Sequence, residues 1–561
     1  MVKINFDLEK IILILFFAIF IFIGPGVLFD HKIQHDFPYA YSASDAFQHQ
    51  IRAEAIKDAG HFRYEAAYIA RGFENVVGKY PPVVYHLAVI LSHAAGIEVY
   101  DSIYFVVVLF AIIAGFVMYF IVRNFNKTVA LFSLPLSILI FSYPPLMGFT
   151  WGHWPSILAQ SFLILFFWSV MKIDLDRSYL LIALSFSAAT LTHIPAVVFG
   201  SFFLGLFFVI KLFARKISKK DIKTMVIVIA IFLMITFYYG VIFQNTWTKT
   251  QSYEFAVEPV WEGNPAFYIG GFGLLLIPLV IGIILSIPKL KGLHISFILA
   301  ITMLISGFLN YVGFGFRSFQ ARFFWPIYLS VFVGFGIYIL FKFIIKRWNF
   351  IYTTAIFVIL VVLLTGIIKF PVLKQTDYQT IPAIPHLNGK TGPGVMNPFH
   401  WESFNWLSGN TEPNATIYFF YGDIYSQDAL LRNSKRVHYQ VYVDDFVKSL
   451  QERKIKKEYV TESPADSSGT FAYRASFFKF IDPVIEQNLP PSYNQGPRNI
   501  CNYNYYVFDK TSRQPVLAQY NLIIANDLIK KDFINPVFEN QLVVILKNSN
   551  LGADCIEERS F

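Results

Sequence analysis

Three side chains capable of acid–base chemistry and anion binding lie close together in a polar segment near the N-terminus. Asp45, His49 and Arg52 belong to the stretch SASDAFQHQIRAEAIKDAGHFRYE, which begins at Ser42. Positions three or four residues apart share one face of a helix, so this spacing would align a carboxylate, an imidazole and a guanidinium. Such a face would suit a polar or phosphorylated ligand. The alternative is a solvated amphipathic helix whose N-terminus is capped by Ser44 or Asp45.

The rest of the chain is far more apolar than this segment. Of its 561 residues, 55% are hydrophobic and 15% are charged, and the mean hydropathy is +0.50. Soluble domains carry about 25% charged residues, so the composition indicates a protein that lies mainly in lipid. The net charge of +9 comes mostly from short loops between apolar runs, which is typical of membrane orientation signals and not of nucleic-acid binding.

About eleven apolar runs are predicted to be transmembrane helices. They cover residues 9–29, 102–122, 128–147, 156–172, 178–193, 195–214, 222–244, 264–287, 293–313, 322–344 and 350–370. The first run is too long for the core of a cleavable signal peptide, and it lacks a small-x-small cleavage site. We therefore expect it to be retained as the first helix.

One further apolar run, residues 81–97, decides the orientation of the chain. If it does not span, five loops that hold fifteen Lys and Arg residues face one side, and the opposite short loops contain only Lys249, Arg317 and Arg322. The positive-inside rule then places the N-terminus in the cytoplasm. We predict a multi-pass cell-membrane protein in which residues 81–97 lie at the interface, and in which a long first loop, residues 30–80, and the C-terminal domain are extracytoplasmic.

The sequence predicts two domains, a transmembrane domain of residues 1–371 and a C-terminal α/β domain of residues 372–561. Strand-like segments of the tail are rich in aromatic and β-branched residues and occur at 416–421, 436–443, 503–509, 522–525 and 541–547. Helical patterns surround Trp406 and cover 443–455. The two cysteines, Cys501 and Cys555, form a disulfide or remain free thiols, and an extracytoplasmic position permits the disulfide.

Several motifs resemble the GT-C superfamily of integral-membrane glycosyltransferases. The stretch DAFQH, residues 45–49, is similar to the first-loop acidic motif of oligosaccharyltransferase catalytic subunits. The stretch KYPPVVYHLAVILSHAAG, residues 79–96, is similar to segments of protein-mannosyltransferases and aminoarabinose transferases. The stretch FNWLSGNTEPNAT, residues 404–416, resembles the W-L-x-x-N-T-P-x-x-A opening of many GT-C external domains. These motifs are short, whereas the resemblance in architecture extends over the whole chain.

The resemblance implies transfer of a sugar from a polyprenyl-phosphate-linked donor to an acceptor of unknown identity at the external membrane face. By the family's pattern, Asp45 is the expected base and Asp36, close to the first helix, is the second candidate. Cationic groups must also stabilise the leaving phosphate. The candidates for binding the substrate or its phosphate are His49, Arg52, Arg63, Tyr80, His86, His153, Arg317 and Arg322. For Arg317 and Arg322, the alternative is contact with lipid headgroups.

Three questions stay open at this point. Some GT-C enzymes use a divalent cation such as Mg²⁺ or Mn²⁺ and others do not, so no cofactor is assigned. Oligosaccharyltransferases read their acceptor sequon with W-W-D-Y-G, whereas residues 419–423 here read FFYGD, which argues against protein N-glycosylation. The other functional class is a transporter or flippase of lipid-linked sugars. Transporters tend to carry charges near the membrane midplane, and here the polar residues are concentrated in external loops.

Overall fold

The computed structural model describes residues 7–62, 64–70, 80–143, 145–247, 272–312, 318–345, 348–367, 391–420, 422–440, 454–455, 499–512, 515–556 and 559–560. The chain folds into two compact units. The first comprises Met1–Gln34, Pro81–Tyr239 and Ser252–Gly392, and the second comprises His35–Tyr80, Gly240–Gln251 and Pro393–Phe561. The domain boundary predicted at residue 371 lies outside the described residues.

Helices form most of the described chain. In chain order they are α1 (Leu8–Phe29), α2 (Ser44–Ala59), α3 (Val83–Ala95), α4 (Val99–Arg123), α5 (Lys127–Ser133), α6 (Pro145–Thr150), α7 (Trp154–Val170), α8 (Ser178–Thr192), α9 (Ala196–Phe213), α10 (Lys219–Trp247), α11 (Leu276–Ser286), α12 (Ile295–Ser306), α13 (Phe319–Phe323), α14 (Trp325–Tyr328), α15 (Ser330–Ile344), α16 (Phe350–Thr365), α17 (Pro398–Asn410), α18 (Asp428–Leu431) and α19 (Pro515–Ile529). Helices α2, α17, α18 and α19 belong to the second unit, and the others lie wholly or mainly in the first.

The first unit is the apolar helical part of the molecule. Among the described residues, four helical stretches are long and apolar enough to cross a membrane: α1, α4, α9 and Gly273–Gly292, which contains α11. Each remaining predicted run also contains a helix, and α10 is the longest of these at 29 residues. The prediction that this part of the chain is mostly helical and apolar is therefore confirmed, whereas the count of eleven spans stays a prediction.

Prolines shorten two of the helices expected from the apolar runs. The run 128–147 begins as α5 and continues as the 3₁₀ helix Leu134–Phe141, with Pro135 in its first turn. The run 322–344 begins with the short helices α13 and α14 before α15 starts, and Pro326 stands in the first turn of α14. Proline has no amide hydrogen and cannot continue the α-helical hydrogen-bond ladder, which accounts for both breaks.

The run 81–97 forms α3, which has 13 residues and ends where Gly96 adopts a positive φ of 67°. At 1.5 Å per residue this helix is about 20 Å long, whereas the hydrocarbon core of a bilayer is about 30 Å thick. Other apolar helices of the first unit, such as α12, are no longer than α3, so its length does not decide whether it spans and its interfacial position stays a prediction.

A five-stranded mixed sheet forms the centre of the second unit. The strands are β1 (Thr416–Phe419), β2 (Val437–Gln440), β3 (Lys454–Ile455), β4 (Tyr505–Asp509), β5 (Ile534–Glu539), β6 (Val543–Asn548) and β7 (Arg559–Ser560). The order is β2-β1-β4-β6-β5, and β3 pairs separately with β7. Strand β1 is parallel to β2 and β4, whereas β6 is antiparallel to β4 and β5. The C-terminal domain is therefore an α/β domain, as predicted.

Two details of the tail prediction were wrong. Residues 522–525, expected to be a strand, lie in α19, where Tyr520, Ile524 and Leu528 are buried at helical spacing against the sheet. The run was ambiguous because a short apolar stretch fits a buried helix as well as a strand. Strand β5 was missed because most of its residues are exposed and it contains Pro536. Most of the predicted helix 443–455 lies outside the described residues, and its last two residues form β3.

Cys501 and Cys555 form a disulfide inside this domain. Both residues are fully buried in the aromatic core around the sheet, together with Tyr418 and Tyr506. The disulfide joins the turn Ile500–Asn502 to the segment that follows β6. Of the two alternatives that the sequence allowed for these cysteines, the structure therefore shows the disulfide.

Candidate active site

Asp45 lies in the first turn of α2, with its side chain exposed. The helix begins after Ala43, which is the N-cap residue with an extended backbone (φ −147°, ψ 163°), and no side chain caps the helix. The alternative in which Ser44 or Asp45 acts as the cap is therefore wrong. A carboxylate in the first turn still interacts favourably with the positive end of the helix dipole, which stabilises its ionised form.

The segment before α2 is held by the chain that leads into α17. The Ala40 amide donates to the Pro393 carbonyl at 3.0 Å, and the Val395 amide donates to the Tyr41 carbonyl at 2.7 Å. Between these bonds, Gly394 has a φ of +84°, and a Cβ there would lie 2.2 Å from the Tyr41 oxygen. Only glycine fits this close approach. The backbone just ahead of Asp45 is therefore fixed within the second unit.

The body of α2 is attached to the sheet domain through buried polar contacts. The fully buried Gln50 amide donates to Asn433 Oδ1 at 2.9 Å. One turn further, Lys435 Nζ lies 2.6 Å from an Asp58 carboxylate oxygen and 3.7 Å from one of Glu54. Burial alone would lower the pKa of Lys435, but Glu54 and Asp58 outweigh it and raise the pKa. These contacts make α2 a rigid support for Asp45.

The other two residues of the predicted face, His49 and Arg52, form contacts with neighbouring side chains. His49 is 5% exposed, and its ring lies edge-on to Tyr80 at 5.3 Å between centroids. The Arg52 guanidinium lies 4.7 Å from the Tyr80 ring and 3.0 Å, Nε to oxygen, from the Glu65 carboxylate. The structure therefore brings His49, Arg52 and Tyr80 together, but it leaves only Asp45 on the exposed part of the helix.

The remaining candidates are dispersed. Asp36 is exposed in the second unit, and His86 is exposed on α3 in the first unit. Arg63 and Arg317 lie outside the described residues. Their predicted roles stay predictions.

His153 and Arg322 lie in the first unit. His153 is the residue before α7, and its ring packs against Phe319 and Phe323 of α13 at 5.6 and 5.7 Å. Arg322 is 0% exposed, and its Nη1 donates to the Gly307 carbonyl at 3.0 Å. The structure therefore shows Arg322 buried, and its role in phosphate binding or in headgroup contact stays a prediction.

Sequence reasoning missed a buried hydrogen-bond chain between α17 and the end of β4. The His400 ring lies between Asn397 Nδ2, 2.6 Å from Nδ1, and Asp509 Oδ2, 2.9 Å from Nε2. Because a carboxylate only accepts, Nε2 carries the hydrogen and Nδ1 accepts from the amide. His400 and Asp509 are 109 residues apart, so no local spacing indicated their hydrogen bond. The only local signal was Asn397-Pro398, which is typical of a helix start.

A metal site is not evident in the described part of the chain, where no three His, Cys, Asp or Glu side chains are grouped closely enough to hold an ion. Among the described residues, Asp45 lies at the positive end of the α2 dipole, and further along the helix Arg52 pairs with Glu65 and Asp58 pairs with Lys435. The arrangement can therefore present an ionised, exposed carboxylate on a rigid element.

No protein-family model matches the sequence, and no curated protein matches it. Among solved structures, apo ArnT from Cupriavidus metallidurans is similar with a TM-score of 0.51 and 12% identity, over 96% of this chain and 98% of that one. ArnT from the same organism bound to undecaprenyl phosphate gives 0.50 and 12%, over 95% and 97%. The apo oligosaccharyltransferase from Archaeoglobus fulgidus gives 0.50 and 11%, over 88% and 69%. The chain therefore shares the fold of these structures, which agrees with the architecture that the resemblance of its motifs implied.

Proposed function

We propose that the chain is a membrane glycosyltransferase that moves a sugar from a polyprenyl-phosphate-linked donor to an acceptor at the external face of the cell membrane. The observation that carries the proposal is the likeness to ArnT over nearly the whole of both chains. One of the ArnT structures is bound to undecaprenyl phosphate, which is the lipid part of such a donor. The acceptor is not assigned.

The proposed topology has eleven membrane spans, with the N-terminus in the cytoplasm and the tail domain outside, and with a domain boundary near residue 371. The four long apolar helices and the bias of Lys and Arg between loops support it. The buried Cys501–Cys555 disulfide also supports an external tail, because disulfides persist in oxidising compartments and are rare in the cytosol.

The proposed reaction needs a base and an anion-binding group. Asp45 takes the proton of an acceptor hydroxyl while the oxygen of that hydroxyl forms a bond to the anomeric carbon. The bond between that carbon and the phosphate oxygen breaks, and its electron pair leaves with the polyprenyl phosphate. Arg322 is the proposed cation that stabilises the growing negative charge. Asp36 is the reserve candidate for the base.

A substitution at Asp45 tests the base. Asp45→Asn keeps the size and exposure of the side chain but removes its basicity, so transfer of radiolabelled sugar from polyprenyl-phosphate donors should fall about 10²- to 10⁴-fold. Asp532→Asn changes an exposed acid elsewhere in the tail domain and should keep wild-type transfer. Equal incorporation by a folded Asp45→Asn protein and the wild type would remove Asp45 from catalysis and turn attention to Asp36.

A further inference from the structure

A short stretch of the first unit carries several buried hydrogen-bond donors. Asn310, Gln320 and Trp325 are each at most 2% exposed. Asn310 Nδ2, Gln320 Nε2 and Trp325 Nε1 have no hydrogen-bond acceptor among the residues that the structure describes. Buried donors without acceptors are rare in proteins and each costs stability. All three are donor groups, and the fully buried Arg322 lies in the same stretch, so a group that satisfies any of them must supply an acceptor atom.

Of these three residues, Asn310 forms a hydrogen bond with Arg322. Arg322 Nη1 lies 3.5 Å from Asn310 Oδ1, a weak hydrogen bond with a favourable charge–dipole orientation. The same Nη1 donates to the Gly307 carbonyl at 3.0 Å, which fixes the guanidinium at the end of α12. The Asn310 amide nitrogen of the backbone donates to Ser318 Oγ at 3.0 Å, which fixes the residue itself.

These contacts determine which way the Asn310 side chain points. Rotating the amide by half a turn would place its NH₂ group against the guanidinium, where two donors would face each other. The observed orientation keeps Oδ1 toward Arg322 and leaves Nδ2 directed elsewhere without an acceptor. Asn310 is therefore held in the orientation that costs it a hydrogen bond within the protein.

We propose that Asn310 Nδ2 donates to a phosphate oxygen of the polyprenyl-phosphate carrier, beside the guanidinium of Arg322. The inference rests on the proposed function and adds a binding residue to it. A phosphate offers several acceptor oxygens and a negative charge, which match an amide donor next to a buried cation.

Access to this pair requires a change in its surroundings, because both side chains are 0% exposed in the structure. A protein that is open for only a fraction of the time binds with an affinity reduced by that fraction. The phosphate is therefore expected to associate more slowly than by diffusion alone, and bound phosphate should stabilise the protein against heat.

The test measures ligand-induced thermal stabilisation and the dissociation constant on the full-length protein in detergent. The probes are undecaprenyl phosphate, the corresponding polyprenol without phosphate, and inorganic phosphate. Asn310→Leu keeps the number and branching of the side-chain heavy atoms, and it removes both the Nδ2 donor and the Oδ1 that faces Arg322. The matched control is Gln160→Leu, which removes another buried amide of the first unit, one whose Nε2 already donates to Ser156 Oγ at 3.3 Å.

Asn310→Leu should weaken binding of undecaprenyl phosphate by roughly tenfold or more, the value of one hydrogen bond to a charged group. Without ligand, its Tm should stay close to that of the wild type, because removal of an unsatisfied buried donor offsets the loss of the weak Oδ1–Arg322 contact. Gln160→Leu should bind as the wild type does, and polyprenol binding should not respond to Asn310→Leu. If inorganic phosphate binds with the same dependence on Asn310, the headgroup alone is recognised, which also supports the proposal.

Two results would overturn the inference while leaving the proposed function in place. One is an Asn310→Leu protein that binds undecaprenyl phosphate within twofold of the wild type. The other is an equal loss for undecaprenyl phosphate and polyprenol, which would mean that the phosphate is not what Asn310 contacts. A wild-type protein that binds none of the phosphate probes would instead contradict the proposed function itself.

Discussion

Asp45 is exposed, whereas its neighbours on α2 are buried or form contacts within the second unit. Phe47 and Ile51 are fully buried, Gln50 bonds to Asn433, and His49 packs under Tyr80. The spacing of Asp45, His49 and Arg52 suggested one reactive face. In the structure Asp45 is exposed, whereas the His49 ring and the Arg52 guanidinium pack against Tyr80. The helical periodicity of the sequence predicts which residues share a face of α2. Which of them are buried depends on residues of the tail domain, such as Asn433, whose position the periodicity does not predict.

Arg52, a predicted phosphate-binding residue, forms an ion pair within the second unit. Its side chain is 11% exposed, and its guanidinium pairs with Glu65, whose side chain is 7% exposed. Both groups have therefore lost most of their water, and each depends on the other for compensation. Breaking a buried pair from one side leaves an uncompensated charge, whereas removing both partners does not.

We therefore expect Glu65→Gln to cost about 3 kcal/mol of stability, seen as a lower apparent Tm in detergent. The double variant Arg52→Gln with Glu65→Gln should lose less than the sum of the two single variants. As a control, Glu539→Gln removes an exposed partner of Lys510, and an exposed pair is worth about 0–1 kcal/mol. Strictly additive losses for Arg52 and Glu65 would mean that the ion pair does not hold this loop.

At the scale of elements, the turn between α17 and β1 carries a defined electrostatic contact. Glu412 lies in this turn, with its carboxylate 3.1 Å from Lys547 Nζ and 2.9 Å from the Tyr505 hydroxyl. Its own backbone amide, then Lys547 and Tyr505, lower the pKa of Glu412 from 4.5 to about 2. The contact connects β4 and β6 to the turn that introduces the sheet.

The pH dependence of this contact follows from the direction of the shift. A carboxylate whose pKa is lowered on folding stabilises the protein above its unfolded pKa, and the stabilisation is lost as the pH falls toward the folded pKa. The Tm difference between wild type and Glu412→Gln should therefore be constant above about pH 5 and shrink between pH 4.5 and about 2. The Glu412 side chain is 55% exposed, so solvent screening keeps the difference small.

Thermal unfolding in detergent at pH 6, 4 and 3 measures this difference. Lys547→Gln removes the main charged partner and should reproduce the effect of Glu412→Gln at pH 6. A Tm difference that stays the same down to pH 3 would show that Glu412 keeps its ordinary pKa in the folded protein.

At the scale of the whole molecule, the features with a strong periodic or compositional signal could be predicted. The apolar runs gave α1, α4 and α9 within a few residues, and the alternating aromatic pattern gave β1, β4 and β6. Strand β5 was missed because an exposed edge strand has no apolar pattern. The pairs Gln50–Asn433, His400–Asp509 and Arg322–Asn310 were missed for another reason: partners from different elements have no fixed spacing in the sequence.

The candidate site was predictable only in part. Asp45 was selected from its resemblance to a motif, and the structure places it exposed at a helix start, but its catalytic role stays a prediction. The support that fixes it could not be anticipated. The Gly394 contact and the Lys435 bridge both depend on chain segments that lie more than 300 residues away, and only the fold brings those segments to α2.

The measurement that tests the central claim most directly follows the donor itself. Purified protein in detergent, without any sealed membrane, is incubated with a polyprenyl-phosphate-linked radiolabelled sugar and a membrane extract as the source of acceptor. The account predicts that the donor is consumed and that labelled acceptor and free polyprenyl phosphate appear in equal amounts. A donor that stays intact in detergent, while the same protein in sealed vesicles moves that donor across the bilayer, would contradict the account and identify a transporter.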